Sequence, residues 1–157
     1  MGTTRIIAAL GAVIVLASCG SAPNTRIEPD AAARRYEWRA SLVTPAALAG
    51  AMQVRGTAVW SRVGENRSTV TVELTNATPG GSHPWHVHHG RCGGNGPIAG
   101  DPSAYPLLSV DNDGNARATA TLDIALPASG DYYVNVHALA TNMNTIISCG
   151  NLAPPVL

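Results

Sequence analysis

The segment Gly81–Cys92, GSHPWHVHHGRC, places His83, His86, His88 and His89 within seven consecutive positions and ends on a cysteine. The chain's fifth histidine, His137, stands far downstream in YYVNVHAL. Imidazole is a ready ligand for copper and zinc, and a donor set made only of nitrogen favours copper(II). One exposed histidine means little. A His-X-His pair on a strand is more specific, and a distant third histidine in the matching orientation strengthens it further.

Whether the rings converge depends on the elements that carry them. Side chains on a strand alternate between its two faces. In PWHVHH the apolar pair Trp85 and Val87 shares one face, which must look into the core, so His86 and His88 share the other. In YYVNVHAL the same alternation sends Tyr132, Val134 and Val136 inward and Tyr133, Asn135 and His137 outward. His86, His88 and His137 can therefore meet on the outer faces of two neighbouring strands. His83 follows a TPGGS turn and precedes a proline, and reads as a structural hydrogen-bonding residue. His89 falls on the core side of the alternation unless the strand ends at His88, and its role stays open.

The rest of the chain is punctuated as an all-β protein. Runs rich in Val, Thr and aromatics, EWRASLV, VRGTAVWSRV, STVTVELT, HPWHVHH, NARATATLDI, DYYVNVHAL and TIISCGNL, alternate with Gly/Asn/Asp/Pro clusters. No helical period is sustained, and this spacing predicts a sandwich or barrel. PAALAGA, between the first two runs, reads as a loop. DNDGN lacks the ligand spacing of a calcium loop and reads as a hairpin turn.

The N-terminus reads as an address. Arg5, an apolar run from Ile6 to Leu16, and then LASC form a secretory leader too short to span a bilayer comfortably. LASC resembles a bacterial lipobox, which implies cleavage after residue 18 and lipidation of Cys19. Residues 19–35 read as a tether, and residues 36–157 as one domain with one core. The expected location is the bacterial envelope, anchored to the membrane by the lipid. With Cys19 lipidated, Cys92 and Cys149 remain as an even pair that can form a disulfide outside the cytoplasm. The ten basic residues, all arginine, balance ten acidic ones, and no run of like charge suggests a nucleic-acid partner.

Taken together, these residues resemble a known family. HPWHVHHG resembles the H-G-F-H-V-H-E-F-G segment of copper/zinc superoxide dismutases, YVNVHA the strand carrying their last copper histidine, and ISCGNL their C-terminal A-C-G-V-I. The resemblance covers roughly Trp38 to Leu152 and implies an eight-stranded Greek-key barrel. It implies that His86, His88 and His137 match copper ligands, that His83 matches a structural histidine, and that Cys92 and Cys149 match the intrasubunit disulfide. Superoxide is the substrate it implies.

The departures are as specific. The family's bridging histidine and its remaining zinc ligands lie in a loop that here, from Gly93 to Gly114, holds no histidine, so no zinc is expected. Ile146 stands where the family carries an anion-guiding arginine. HVHHG, NGPI and YYVNVH also resemble the CHRD domain, a module without established catalysis. The sequence thus leaves three readings: a copper-dependent dismutase, a non-catalytic copper-binding protein, and a binding module without metal.

Overall fold

The structure is a computed structural model and describes residues 1–2 and 36–155. The leader, Cys19 and the tether, apart from Met1 and Gly2, lie outside the described residues. Among the described residues no helix is long and apolar enough to cross a membrane.

The domain is all-β. Its strands are β1 (Glu37–Val43), β2 (Arg55–Arg62), β3 (Ser68–Thr75), β4 (Ser82–His83), β5 (Trp85–His89), β6 (Leu108–Ser109), β7 (Ala116–Leu122), β8 (Tyr132–Leu139) and β9 (Asn142–Leu152). Seven of them form one antiparallel sheet in the order β5-β8-β9-β1-β2-β3-β7, which curls into a half-barrel. After β3 the chain crosses to the far edge to lay down β5, returns for β7 beside β3, and crosses again for β8 beside β5. These crossings are Greek-key connections. The short β4–β6 pair forms a second sheet, packed against β8 and β7.

Most strands follow a simple binary pattern. Trp38, Ala40 and Leu42 of β1, Val70, Val72 and Leu74 of β3, and Ala116, Ala118, Ala120 and Leu122 of β7 point into the core. Their sequence neighbours face solvent or its margin, as one-sided burial of an antiparallel sheet requires. Trp38 and Trp60 each meet the Tyr132 ring edge-on, with centroids 5.3 and 5.2 Å apart. Their indole N–H groups donate to the Pro127 carbonyl (2.8 Å) and the Ser68 hydroxyl (2.9 Å), so the core holds large rings without orphaned donors.

Three elements depart from the sequence reading. HPWHVHH is split at Pro84 into β4 and β5, since proline offers no N–H to a ladder. The last strand begins at Asn142, three residues early, because β8 and β9 close as a hairpin through Leu139 and Asn142. DNDGN is a turn in which the Asp111 carboxylate accepts from the N–H groups of Asp113 and Asn115, but β6 before it pairs with β4. It is therefore no simple hairpin. PAALAGA is a loop of successive turns.

The larger difference concerns β5 and β8, which are buried on both faces. A second covered interior lies outside the barrel, on the face that holds the histidines.

Candidate metal centre

Trp85 and Val87 are fully buried in the barrel core, which turns His86 and His88 to the opposite face of β5. In the β5–β8 ladder His86 lies opposite Asn135 and His88 opposite Tyr133, so these four share that face. His137 follows Asn135 by two positions, where β8 shifts register against β9. Its backbone N–H donates to the Pro84 carbonyl (2.8 Å), which holds it against the start of β5.

One ring nitrogen from each of His86, His88 and His137 lies within 4.8 Å of the other two. Ring centroids are 5.5 to 6.3 Å apart, with planes inclined at 60 to 90°. Three imidazole nitrogens about 2.0 Å from one ion stand about 3.3–3.5 Å apart, so the rings need close by at most about 1.5 Å. Among the described residues this is the one group of His, Cys, Asp or Glu with such convergence.

The hydrogen bonds decide which nitrogens are free. His88 Nδ1 lies 2.9 Å from the Gly96 carbonyl and His137 Nδ1 2.6 Å from the Met143 carbonyl. A carbonyl only accepts, so each Nδ1 carries the proton and each Nε2 keeps its lone pair. Both Nε2 atoms are buried without a partner, and so is His86 Nδ1. A buried polar atom left unpaired costs about 1–3 kcal/mol. Three such atoms converging on one point fit a metal ion, and carbonyls on the far nitrogens are the usual means of fixing ligating imidazoles.

The segment after β5 covers the group. The Cys92–Cys149 disulfide ties its start to β9, and the Cys92 N–H donates to Asn151 Oδ1 (2.8 Å). The Tyr133 hydroxyl donates to the Gly94 carbonyl (2.8 Å), while its ring stacks on His88 with centroids 5.1 Å apart. A Cβ on Gly96 would lie 1.6 Å from the His89 carbonyl oxygen. Only glycine lets the loop press against β5 and bring its own carbonyl to His88. On the other flank Tyr105 packs against His86 with centroids 5.1 Å apart.

The outward histidines are thus not at the surface. His86 is 8% and His137 5% exposed, and His88 is partly buried. Burial holds His86 well below the ordinary histidine value, at about 4, helped by the positive charge that His137 and His88 would carry if protonated. Burial also lowers His88, against the Gly96 hydrogen bond, and His137, against the Met143 hydrogen bond. The rings are neutral at pH 7, the form that ligates. A cleft of about 1030 Å³ opens beside them, bordered by His88, His137 and the Met143–Ile146 segment. Among the described residues no Asp, Glu, Lys or Arg lines it.

The remaining residues singled out by sequence fall apart from this group. His83 is buried, and its Nδ1 lies 2.9 Å from the Ala138 and 3.2 Å from the His137 carbonyl, so it braces the irregular part of β8. His89 is exposed and turns to the other face, against Tyr132. Cys92 and Cys149 are bonded. Sequence reasoning missed the carbonyls of Gly96 and Met143, the flanking Tyr105 and Tyr133, and Asn135. The glycines of CGGNGPI were the available signal for the first. A carbonyl carries no residue type, so nothing in the sequence marks Met143.

The chain matches no protein-family model and no curated protein. Fold and site alone define it: an all-β half-barrel carrying a covered three-histidine group that can hold one metal ion. Which metal, and for what purpose, rests on the chemistry of the donors.

Proposed function

We propose that this protein is an exported, lipid-anchored copper protein that dismutates superoxide at the His86, His88 and His137 site. The observation that carries the proposal is the convergence of three buried, unpartnered imidazole nitrogens. An all-imidazole set suits copper, which supplies one-electron exchange between its two common oxidation states. The chain holds three rings in the neutral form, two of them locked by backbone carbonyls. Three protein ligands leave a position for a small molecule arriving through the adjacent cleft. Tyr105 and Tyr133 close the flanks against bulk water. The resemblance of HPWHVHHG, YVNVHA and ISCGNL to copper/zinc superoxide dismutases supports superoxide as substrate, and the leader with LASC supports export and anchoring through Cys19.

The uncharged cleft favours a second reading, in which copper is held without turnover. Charged walls that steer an ion raise encounter rates by one to three orders of magnitude, and among the described residues none of the cleft's lining is charged. Copper titration of wild type against His86→Ala, His88→Ala and His137→Ala tests the site; equal affinity in all four removes it. Superoxide decay at the background rate in copper-loaded protein leaves the second reading alone. Release of a Cys19→Ser variant from the membrane fraction tests the anchor.

A further inference from the structure

Asn135 has no structural reason to be polar where it stands. It is 7% exposed, sits in mid-strand, and its side-chain Oδ1 is buried with no hydrogen-bond partner. An apolar residue there would remove an unpaired polar atom, which is stabilising. The position is also special. Asn135 lies opposite His86 in one ladder and opposite Cys149 in the other, two residues before His137 on the same face. It borders the same cleft as His88 and His137. Asn135 therefore stands between His86 and the disulfide cysteine in the sheet, on the cleft that His88 and His137 also border.

We propose that Asn135 is a positioning residue for whatever small molecule occupies the open position of the metal, offering it a side-chain hydrogen bond beside the three histidines. A half-turn of the amide exchanges its N–H donors for its carbonyl acceptor, so it can serve a molecule that accepts or one that donates. In an uncharged cleft this dipole takes the place of a fixed charge. The inference rests on copper binding at the three histidines and adds a role that the histidines do not fill.

The test compares wild type with Asn135→Val and Asn135→Thr, two side chains of matching shape of which only threonine keeps a hydroxyl. Copper affinity is measured by competitive titration, and azide, a small linear anion that accepts hydrogen bonds, is titrated into the copper(II) protein by its absorption and electron-spin spectra. Copper affinity should stay within about twofold in both variants. Azide affinity should fall roughly tenfold in Asn135→Val, the worth of one hydrogen bond, and recover at least in part in Asn135→Thr. The metal-free Asn135→Val protein should unfold a few degrees higher than wild type. Unchanged azide affinity in Asn135→Val overturns the proposal, as does a threonine variant as weak as the valine one. Loss of copper itself from Asn135→Val would make the residue part of the metal framework and equally overturn it. If wild type takes up no copper in a histidine-dependent way, the underlying reading falls first, and the copper titration alone reveals that.

Discussion

Removal of the Cys92–Cys149 bond should lower both stability and copper affinity, for separate reasons. The bond joins residues 57 apart in sequence, and a ring of that length in the unfolded chain carries a closure entropy of about 4 kcal/mol, an upper figure for the loss. The effect on copper is local. The bond pins the start of the loop whose Gly96 carbonyl holds His88 Nδ1, and loss of such an outer partner typically costs 10- to 100-fold in metal affinity. Other ties to that loop survive, among them the Tyr133 hydroxyl on the Gly94 carbonyl, the residue-92 backbone N–H on Asn151 and the His89 N–H on the Pro97 carbonyl. The low end, roughly tenfold, is therefore expected. The assay pairs urea unfolding of the metal-free Cys92→Ala/Cys149→Ala protein with competitive copper titration under conditions where it is still folded. Undiminished affinity in that folded variant would refute the idea that the loop presets His88, whatever happened to stability.

Gly96→Ala should act on the same contact more sharply, because the new methyl must displace the loop from the His89 carbonyl; copper affinity should drop at least tenfold by titration, with the disulfide intact by mass spectrometry. The metal-free protein should lose stability on acidification through a defined window. His86 binds its proton at about 4 in the folded state against 6.5 unfolded, so above pH 6.5 it contributes nothing, and between 6.5 and about 4 the unfolded chain takes up a proton that the native one refuses. Urea unfolding at pH 7 and pH 4.5 should show a loss of roughly 2 kcal/mol from this group once screening is allowed for, and His86→Gln should flatten the slope. Any superoxide turnover should vary less than about twofold between low and moderate salt, since among the described residues no Asp, Glu, Lys or Arg lines the cleft; stopped-flow rates falling steeply with ionic strength would contradict this.

The fold was legible in the sequence wherever one rule decided burial. Val70, Val72 and Leu74 alternate with polar neighbours, and the strand follows at once. The same rule put His86, His88 and His137 on one side of their strands. It failed on what lies beyond that side, because alternation tells which face a residue takes but not whether another segment covers that face. The covering loop is made of glycine, asparagine and proline, which read only as a turn-rich connection. Its contribution is a backbone carbonyl and a close approach at Gly96, neither of which has a signature beyond the glycine itself. Asn135 reads as outward by the same alternation, and an outward asparagine is unremarkable until the face proves to be buried.

That covered face is also what separates a metal reading of these histidines from a structural one. An orphaned ring nitrogen is no evidence by itself: His83 Nε2 is buried and unpaired too, and among the described residues it belongs to no group of three ligating side chains. The three site rings differ in that their free nitrogens converge, and in that the bonds present are spent on the far nitrogens. A chain using these histidines only for packing gains nothing by aiming three lone pairs at one point, and it loses hydration at each. The loop deepens that loss by excluding water, yet it also supplies the carbonyl that fixes the His88 tautomer. An ion at the centre satisfies all three nitrogens at once, and neutral, preset imidazoles need give up no protons at pH 7 to receive it. The arrangement makes physical sense as a site whose stability is completed by the ligand it was built to hold, and copper added to the metal-free protein should raise its unfolding temperature in a way that any one of the three alanine substitutions removes.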